Sequence, residues 1–211
     1  MARKSKSKWL TEHKHDHYYH EAKSTGYRSR AAYKLKQIDK KFNVISKHDI
    51  VIDLGAAPGG WSQVAYELIG GGDEEKPTKG KVIAIDLKSI RYIEGVDFIR
   101  GDMTDPLTFD KIFELTDQAD VVISDMSPDI TGHYSVDQAR SVYLAENAFE
   151  FAKKVLVQGG NFVVKVFQGE DFKSYFDKVK TNFKFCKSFS PKASRTRSSE
   201  VYIVAKGYKR Q

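Results

Sequence analysis

Lys165 interrupts the run Asn161 to Phe167 two residues before its end, and the rest of that run is almost wholly apolar. An ammonium in such a run must be paired or put to use, because burying an unpartnered charge is strongly unfavourable. Acids close three other apolar runs: Asp86 follows Val-Ile-Ala-Ile, Asp102 follows Phe98-Ile-Arg-Gly, and Asp125 follows Val-Val-Ile-Ser. Glu200 opens the last apolar run. Asp53 lies inside Val51-Ile-Asp-Leu54, just ahead of the turn Gly55-Ala-Ala-Pro-Gly-Gly60. Such a turn, set between a strand and a helix, lets backbone N–H groups and a helix N-terminus approach a ligand closely. The turn lacks the Gly-x-Gly-x-x-Gly spacing of a dinucleotide site. An acid at position 53 crowds a pyrophosphate but suits a cationic end such as an ammonium. Together these residues offer several carboxylate acceptors, one backbone cradle and one lysine able to orient or move a proton.

The elements that must position them alternate. Strands are predicted over 49–54, 81–86, 96–100, 119–124, 161–167, 183–189 and 200–206. Helices are predicted over 29–42, 61–69, 105–115, 137–156 and 172–180. In the first helix Ala31, Leu35, Ile38 and Phe42 form one stripe, with Ser29 as its expected cap. Lys34 lies at the stripe's edge and reads on spacing alone as solvated. The loop Gly70–Gly80 is acidic and glycine-rich. Near-continuous apolar strands separated by helices predict a parallel sheet covered on both faces. The short link before the last two strands predicts a terminal hairpin and an antiparallel strand at that end. Ligands of such sheets bind outside the carboxyl ends of the strands. Asp86 there suits ribose hydroxyls, and Asp102 suits an adenine amino group. The antiparallel last strand starts Glu200 level with the same rim.

The chain has 211 residues, 40% hydrophobic and 30% charged, as expected of one soluble domain. A net charge of +7 and a pI near 9.2 point to a polyanionic partner. Residues 1–8 are basic, and Trp9, Tyr18, Tyr19 and Tyr27 interleave with histidines, lysines and arginines. That mixture suits RNA, where bases stack on rings and phosphates meet cations. Lys192, Arg195 and Arg197 are expected to join the N-terminal 30 residues in such binding. His13, His15 and His17 alternate along the chain with His20 three residues on, inside a basic aromatic stretch that suits RNA better than a metal, so no metal is expected. A single cysteine, Cys186, excludes an intrachain disulfide. No run of 18 apolar residues predicts a membrane span, and a cytoplasmic setting is expected.

Six stretches carry a closer likeness: Arg28-Ser-Arg-Ala-Ala-Tyr-Lys-Leu35, Asp53 through Gln63, Gly95-Val-Asp-Phe98, Ser124-Asp-Met-Ser-Pro128, Gly160 through Glu170, and Ser194 through Ala205. In these the chain resembles the FtsJ/RrmJ family of ribose 2′-O-methyltransferases, most nearly the branch acting on 23S ribosomal RNA. The resemblance implies a Rossmann-like class I fold: a mostly parallel seven-stranded sheet with an antiparallel terminal strand and helices on both faces. It implies S-adenosylmethionine as cofactor. It implies a Lys-Asp-Lys-Glu set at Lys34, Asp125, Lys165 and Glu200, with Lys165 as proton acceptor, and so moves Lys34 from solvent to the site. Cofactor contacts carry over to Gly59, Trp61, Asp86, Asp102 and Asp125, and Asp53 and Gly55 belong to the same turn. The resemblance further implies a uridine of large-subunit RNA as substrate, the assembled 50S particle as its form, and a monomer. Residues 1–27 are then an RNA-facing extension and 28–211 one methyltransferase domain. The Gly70–Gly80 loop and the histidine-rich start depart from the family pattern. Two other substrates stay open, a tRNA anticodon loop and a cap. A non-catalytic assembly factor is the reading of another class, and a nicotinamide oxidoreductase is disfavoured by Asp53.

Overall fold

The computed structural model describes residues 17–195 and 198–210. Its strands are β1 (Ile50–Leu54), β2 (Lys81–Asp86), β3 (Val96–Arg100), β4 (Ala119–Ser124), β5 (Leu156–Phe167), β6 (Phe183–Phe189) and β7 (Glu200–Tyr208). Its helices are α1 (His17–Thr25), α2 (Ala31–Phe42), α3 (Gly60–Leu68), α4 (Pro106–Leu115), α5 (Tyr134–Val155) and α6 (Phe172–Thr181). The strands form one sheet in the order β3-β2-β1-β4-β5-β7-β6. The pairs from β3 to β5 are parallel, and β7 runs antiparallel to both β5 and β6. This is the Rossmann-like architecture expected, with the terminal hairpin supplying the antiparallel strand.

Side chains alternate across a strand, so each apolar strand feeds two cores. Ile52, Ile83, Val122 and Phe162 join α4, α5 and α6 in one core. Val51, Val82, Ile123, Val163 and Tyr202 join α2 and α3 in the other. Stepping by two along each strand carries the second set onward to Asp53, Asp125, Lys165 and Glu200. All four therefore point toward the α2/α3 face near the carboxyl rim. The register pairs Lys165 with Tyr202 and Phe167 with Glu200, which sets the start of β7 level with the end of β5.

Three local expectations are corrected. Ser29 is not the cap of α2: Arg30 occupies that place, no side chain caps the helix, and the Ser29 hydroxyl is buried without a partner. β5 begins at Leu156 rather than Asn161, because the chain stays in the sheet through a register shift opposite Ala119 and Val121. α5 begins three residues before Asp137. The Asp137 carboxylate accepts from Thr131 N, Thr131 Oγ1 and Gly132 N, folding the preceding loop back onto the helix start. Helix α1 has no counterpart among the predicted elements. It packs on α2 through Tyr18 against Tyr33, with ring centres 5.5 Å apart.

Candidate active site

Four side chains from four elements meet at the carboxyl rim. Lys34 comes from α2, Asp125 follows β4, Lys165 lies in β5 and Glu200 opens β7. Lys34 Nζ pairs with Glu200 Oε1 at 2.6 Å. Lys165 Nζ donates to the Asp125 carbonyl at 2.7 Å and faces Asp125 Oδ1 at 3.1 Å. The lysine side chains are nearly inaccessible, 10% exposed for Lys34 and 6% for Lys165. Burial opposes charge on the Asp125 carboxylate, but Lys165 and Lys34 outweigh it and hold the group below the usual range. Glu200 behaves likewise, with burial overcome by Lys34. The two ion pairs thus sense one another and form one cluster rather than two separate bridges.

A residue absent from the sequence reading ties the cluster together. Tyr202 is fully buried, and its hydroxyl donates to Asp125 Oδ1 at 2.6 Å. The Lys34 ammonium sits 5.6 Å from the centre of its ring. Burial, followed by the Asp125 charge, pushes this phenol well above its ordinary range, so it remains a donor. Its position two residues after Glu200, on the same strand face, was the available signal.

A cleft of about 550 Å³ opens beside this cluster. Gly55, Asp86, Asp102 and Asp125 line it, together with Tyr143 and Asn147 of α5. Gly55 has φ +73°, and a Cβ there would meet Met126 Cγ at 2.1 Å, so the turn requires glycine. Asp86 is held by the backbone: its Oδ2 accepts from Ala57 N at 2.8 Å and its Oδ1 from Lys88 N at 2.7 Å. Asp102 Oδ1 accepts from Thr104 N and Thr104 Oγ1. Both carboxylates are thereby fixed while retaining lone pairs for hydroxyl or amino donors.

Gly59, Trp61 and Asp53 do not line the cleft. Gly59 turns the chain with φ +108° ahead of α3. The Trp61 side chain points away, donating from Nε1 to Ala31 O at 2.8 Å and packing on Tyr202 at 5.7 Å. Asp53 lies beneath the turn, 1% exposed. Its Oδ2 accepts from the Ser62 hydroxyl at 2.6 Å, while Oδ1 is buried with no partner. Burial pushes this carboxyl up to about 7, with Asp125 and Asp86 adding to the rise. An orphaned carboxylate oxygen under an acid-lined cleft fits a ligand that brings a cation.

Of the expected RNA contacts, Lys192 and Arg195 are exposed in the loop before β7. That loop is clamped to α2, because Ala193 O accepts from Arg30 Nη2 and Ala193 N donates to Gln37 Oε1. Tyr18, Tyr19, His17 and His20 lie on α1; residues 1–16 and Arg197 lie outside the described residues. Among the described residues no group of three or more His, Cys, Asp or Glu could hold a metal ion. No helix among them is long and apolar enough to cross a membrane.

Comparison with known proteins gives a consistent picture. Residues 27–208 match the model of the FtsJ-like methyltransferases. The chain is 50% identical to the ribosomal RNA large subunit methyltransferase E of Methanocella arvoryzae, over 92% of this chain and 73% of that one. It is 50% identical to the protein of the same name from Archaeoglobus fulgidus, over 92% of this chain and 97% of that one. A crystal structure described as a ribosomal RNA methyltransferase from Plasmodium falciparum superposes with a TM-score of 0.77 at 28% identity, covering 88% of this chain and all of that one.

Proposed function

The chain belongs to the FtsJ-like methyltransferase family, and from that premise we propose that it methylates the ribose 2′-hydroxyl of a uridine in large-subunit ribosomal RNA, with S-adenosylmethionine as donor. The observation that carries the reading is the buried Lys34–Glu200 and Lys165–Asp125 cluster at the mouth of an acid-lined cleft. Relatives 50% identical to this chain, one of them nearly equal in length, carry large-subunit ribosomal RNA in their names.

When bound, S-adenosylmethionine supplies a methyl group made electrophilic by a cationic sulfur. The residues present fit it. Asp86 and Asp102 would accept from its ribose hydroxyls and adenine amino group, and Gly55, at positive φ beside the cleft, gives it room along the turn. Asp53, with its orphan Oδ1, would offset the charge of the amino-acid end. Trp61 would act indirectly, since it lies off the cleft and its indole is committed to Ala31.

The remaining work is positioning and proton transfer. Lys165 Nζ, once it has given up its own proton to solvent, would take the proton of the 2′-hydroxyl as the oxygen attacks. Asp125 fixes that nitrogen through two oxygens, its carbonyl and Oδ1, so the lone pair is aimed rather than left to rotamer chance. Tyr202 holds the second contact of the same carboxylate. Lys34, anchored by Glu200, presents a fixed cation to the ribose-phosphate.

The test is transfer of tritiated methyl groups to assembled 50S particles, free large-subunit RNA and tRNA, followed by mapping of the label. Label on a uridine ribose of the particle is expected. Label confined to tRNA, or on a base, would overturn the assignment.

A further inference from the structure

Tyr134 is the first residue of α5, and it is 61% exposed although aromatic. Its hydroxyl donates to Gln168 O at 2.7 Å. Gln168 follows the end of β5, and its own N–H donates to Ser199 O at 2.9 Å, next to Glu200. The ring is therefore tethered by its tip to the strand pair that carries Lys165 and Glu200, with its faces left to solvent. Gln168 lies three positions after Lys165, about 10 Å of extended chain. The support is stiff: Ser141 Oγ accepts from Phe167 N at 3.0 Å, binding α5 to the same strand end, and Asp137 holds Thr131 and Gly132 just upstream. Ile130, 64% exposed, adds apolar surface on that loop.

Side matters as well as distance. The cleft is lined by Asp125 to Asp129 and, farther along α5, by Tyr143, but not by Tyr134. The ring thus stands outside the cleft's lining, at the rim just past the end of β5, which carries Lys165, and beside the start of β7, which carries Glu200. A tethered aromatic face there has the chemistry of a base platform: every base offers a π-face, and stacking needs no hydrogen-bond match.

We infer that Tyr134 stacks on the base of the acceptor nucleotide and so sets its ribose against Lys165. The inference rests on the ribose-methylation reading. Its test compares kcat/KM for large-subunit RNA among wild type, Tyr134→Ala, Tyr134→Phe and Tyr134→Trp, with cofactor affinity by calorimetry and melting temperature as controls. The alanine variant is expected to lose about 5- to 150-fold, and the phenylalanine and tryptophan variants to stay within about threefold of wild type. Cofactor affinity and melting temperature stay unchanged throughout. An alanine variant within about threefold of wild type overturns the platform. So does a phenylalanine variant as impaired as alanine, because the effect then belongs to the hydroxyl and its hold on Gln168. Normal transfer by wild type and alanine alike removes the stacking role alone. No transfer by wild type to any RNA removes the ribose-methylation reading and this inference together.

Discussion

At Lys165 the protein solves a problem of aim. Two oxygens of Asp125 fix the nitrogen, and the side chain is almost sealed from water. Lys165→Ala is expected to leave cofactor affinity within about threefold and to lower single-turnover methyl transfer by at least ~100-fold, the usual scale for an acid–base group. Near-normal transfer would strip Lys165 of the role. Asp53 poses a different problem, because its carboxyl is pushed up to about 7 from 3.8. The folded protein holds this proton more tightly than the unfolded chain does. Raising the pH from about 4 to about 7 therefore removes stability, on the order of 4 kcal/mol from this group. Asp53→Asn erases that term, so its stability relative to wild type should climb between pH 5 and pH 8 in denaturant titrations. Parallel curves would show that the carboxyl titrates normally. The same substitution should weaken S-adenosylmethionine binding about tenfold at pH 8 and flatten its pH dependence, since a cationic ligand favours the deprotonated acid.

At the scale of elements, the strands were legible because buried parallel strands are written as unbroken apolar runs. β2, β3, β4 and β6 fall on their expected residues, and the hairpin topology followed from the short link before β7. Their place on one rim was legible too, while the common face of Asp53, Asp125, Lys165 and Glu200 emerged only with the strands in register. What could not be read was which helix would cover that side. Lys34 looked solvated because helix spacing places it at the edge of an apolar stripe, whereas Glu200 and Tyr202, more than 160 residues later, close over it. Helix α1 went unread because its apolar surface is aromatic rather than aliphatic and is scattered among histidines. Trp61 links two of these elements. Its indole joins the start of α3 to the α2 that carries Lys34. Trp61→Phe loses that hydrogen bond and leaves a small void, together about 2 kcal/mol of unfolding free energy by urea titration. Because the indole faces away from the cleft, cofactor affinity should stay within about threefold in the same variant. A large loss of affinity without a loss of stability would place the ring at the cofactor instead.

Taken whole, the molecule separates its charges by task. The cleft is walled by carboxylates that suit a cationic cofactor, yet the chain carries +7 overall. The excess must lie elsewhere, and two of its members, Lys192 and Arg195, stand in the loop that leads into Glu200. Arg30 clamps that loop to α2, and burial followed by the nearby Arg195 pulls the Arg30 guanidinium below its ordinary range, with Glu200 acting against them. Each phosphate neutralised on single-stranded RNA lowers the slope of log affinity against log salt by about 0.7, and on a duplex by about 0.9. A contact with about five phosphates gives a slope near −4 and a loss of about 250-fold between 50 and 200 mM salt. The slope is measured by filter binding of labelled large-subunit RNA across that range. Lys192→Ala and Arg195→Ala should each make it shallower by about one and weaken binding to all sequences alike, while cofactor affinity stays salt-insensitive. A slope near zero in the wild type would remove the phosphate backbone as the source of affinity, and with it the reason for placing these cations at the rim.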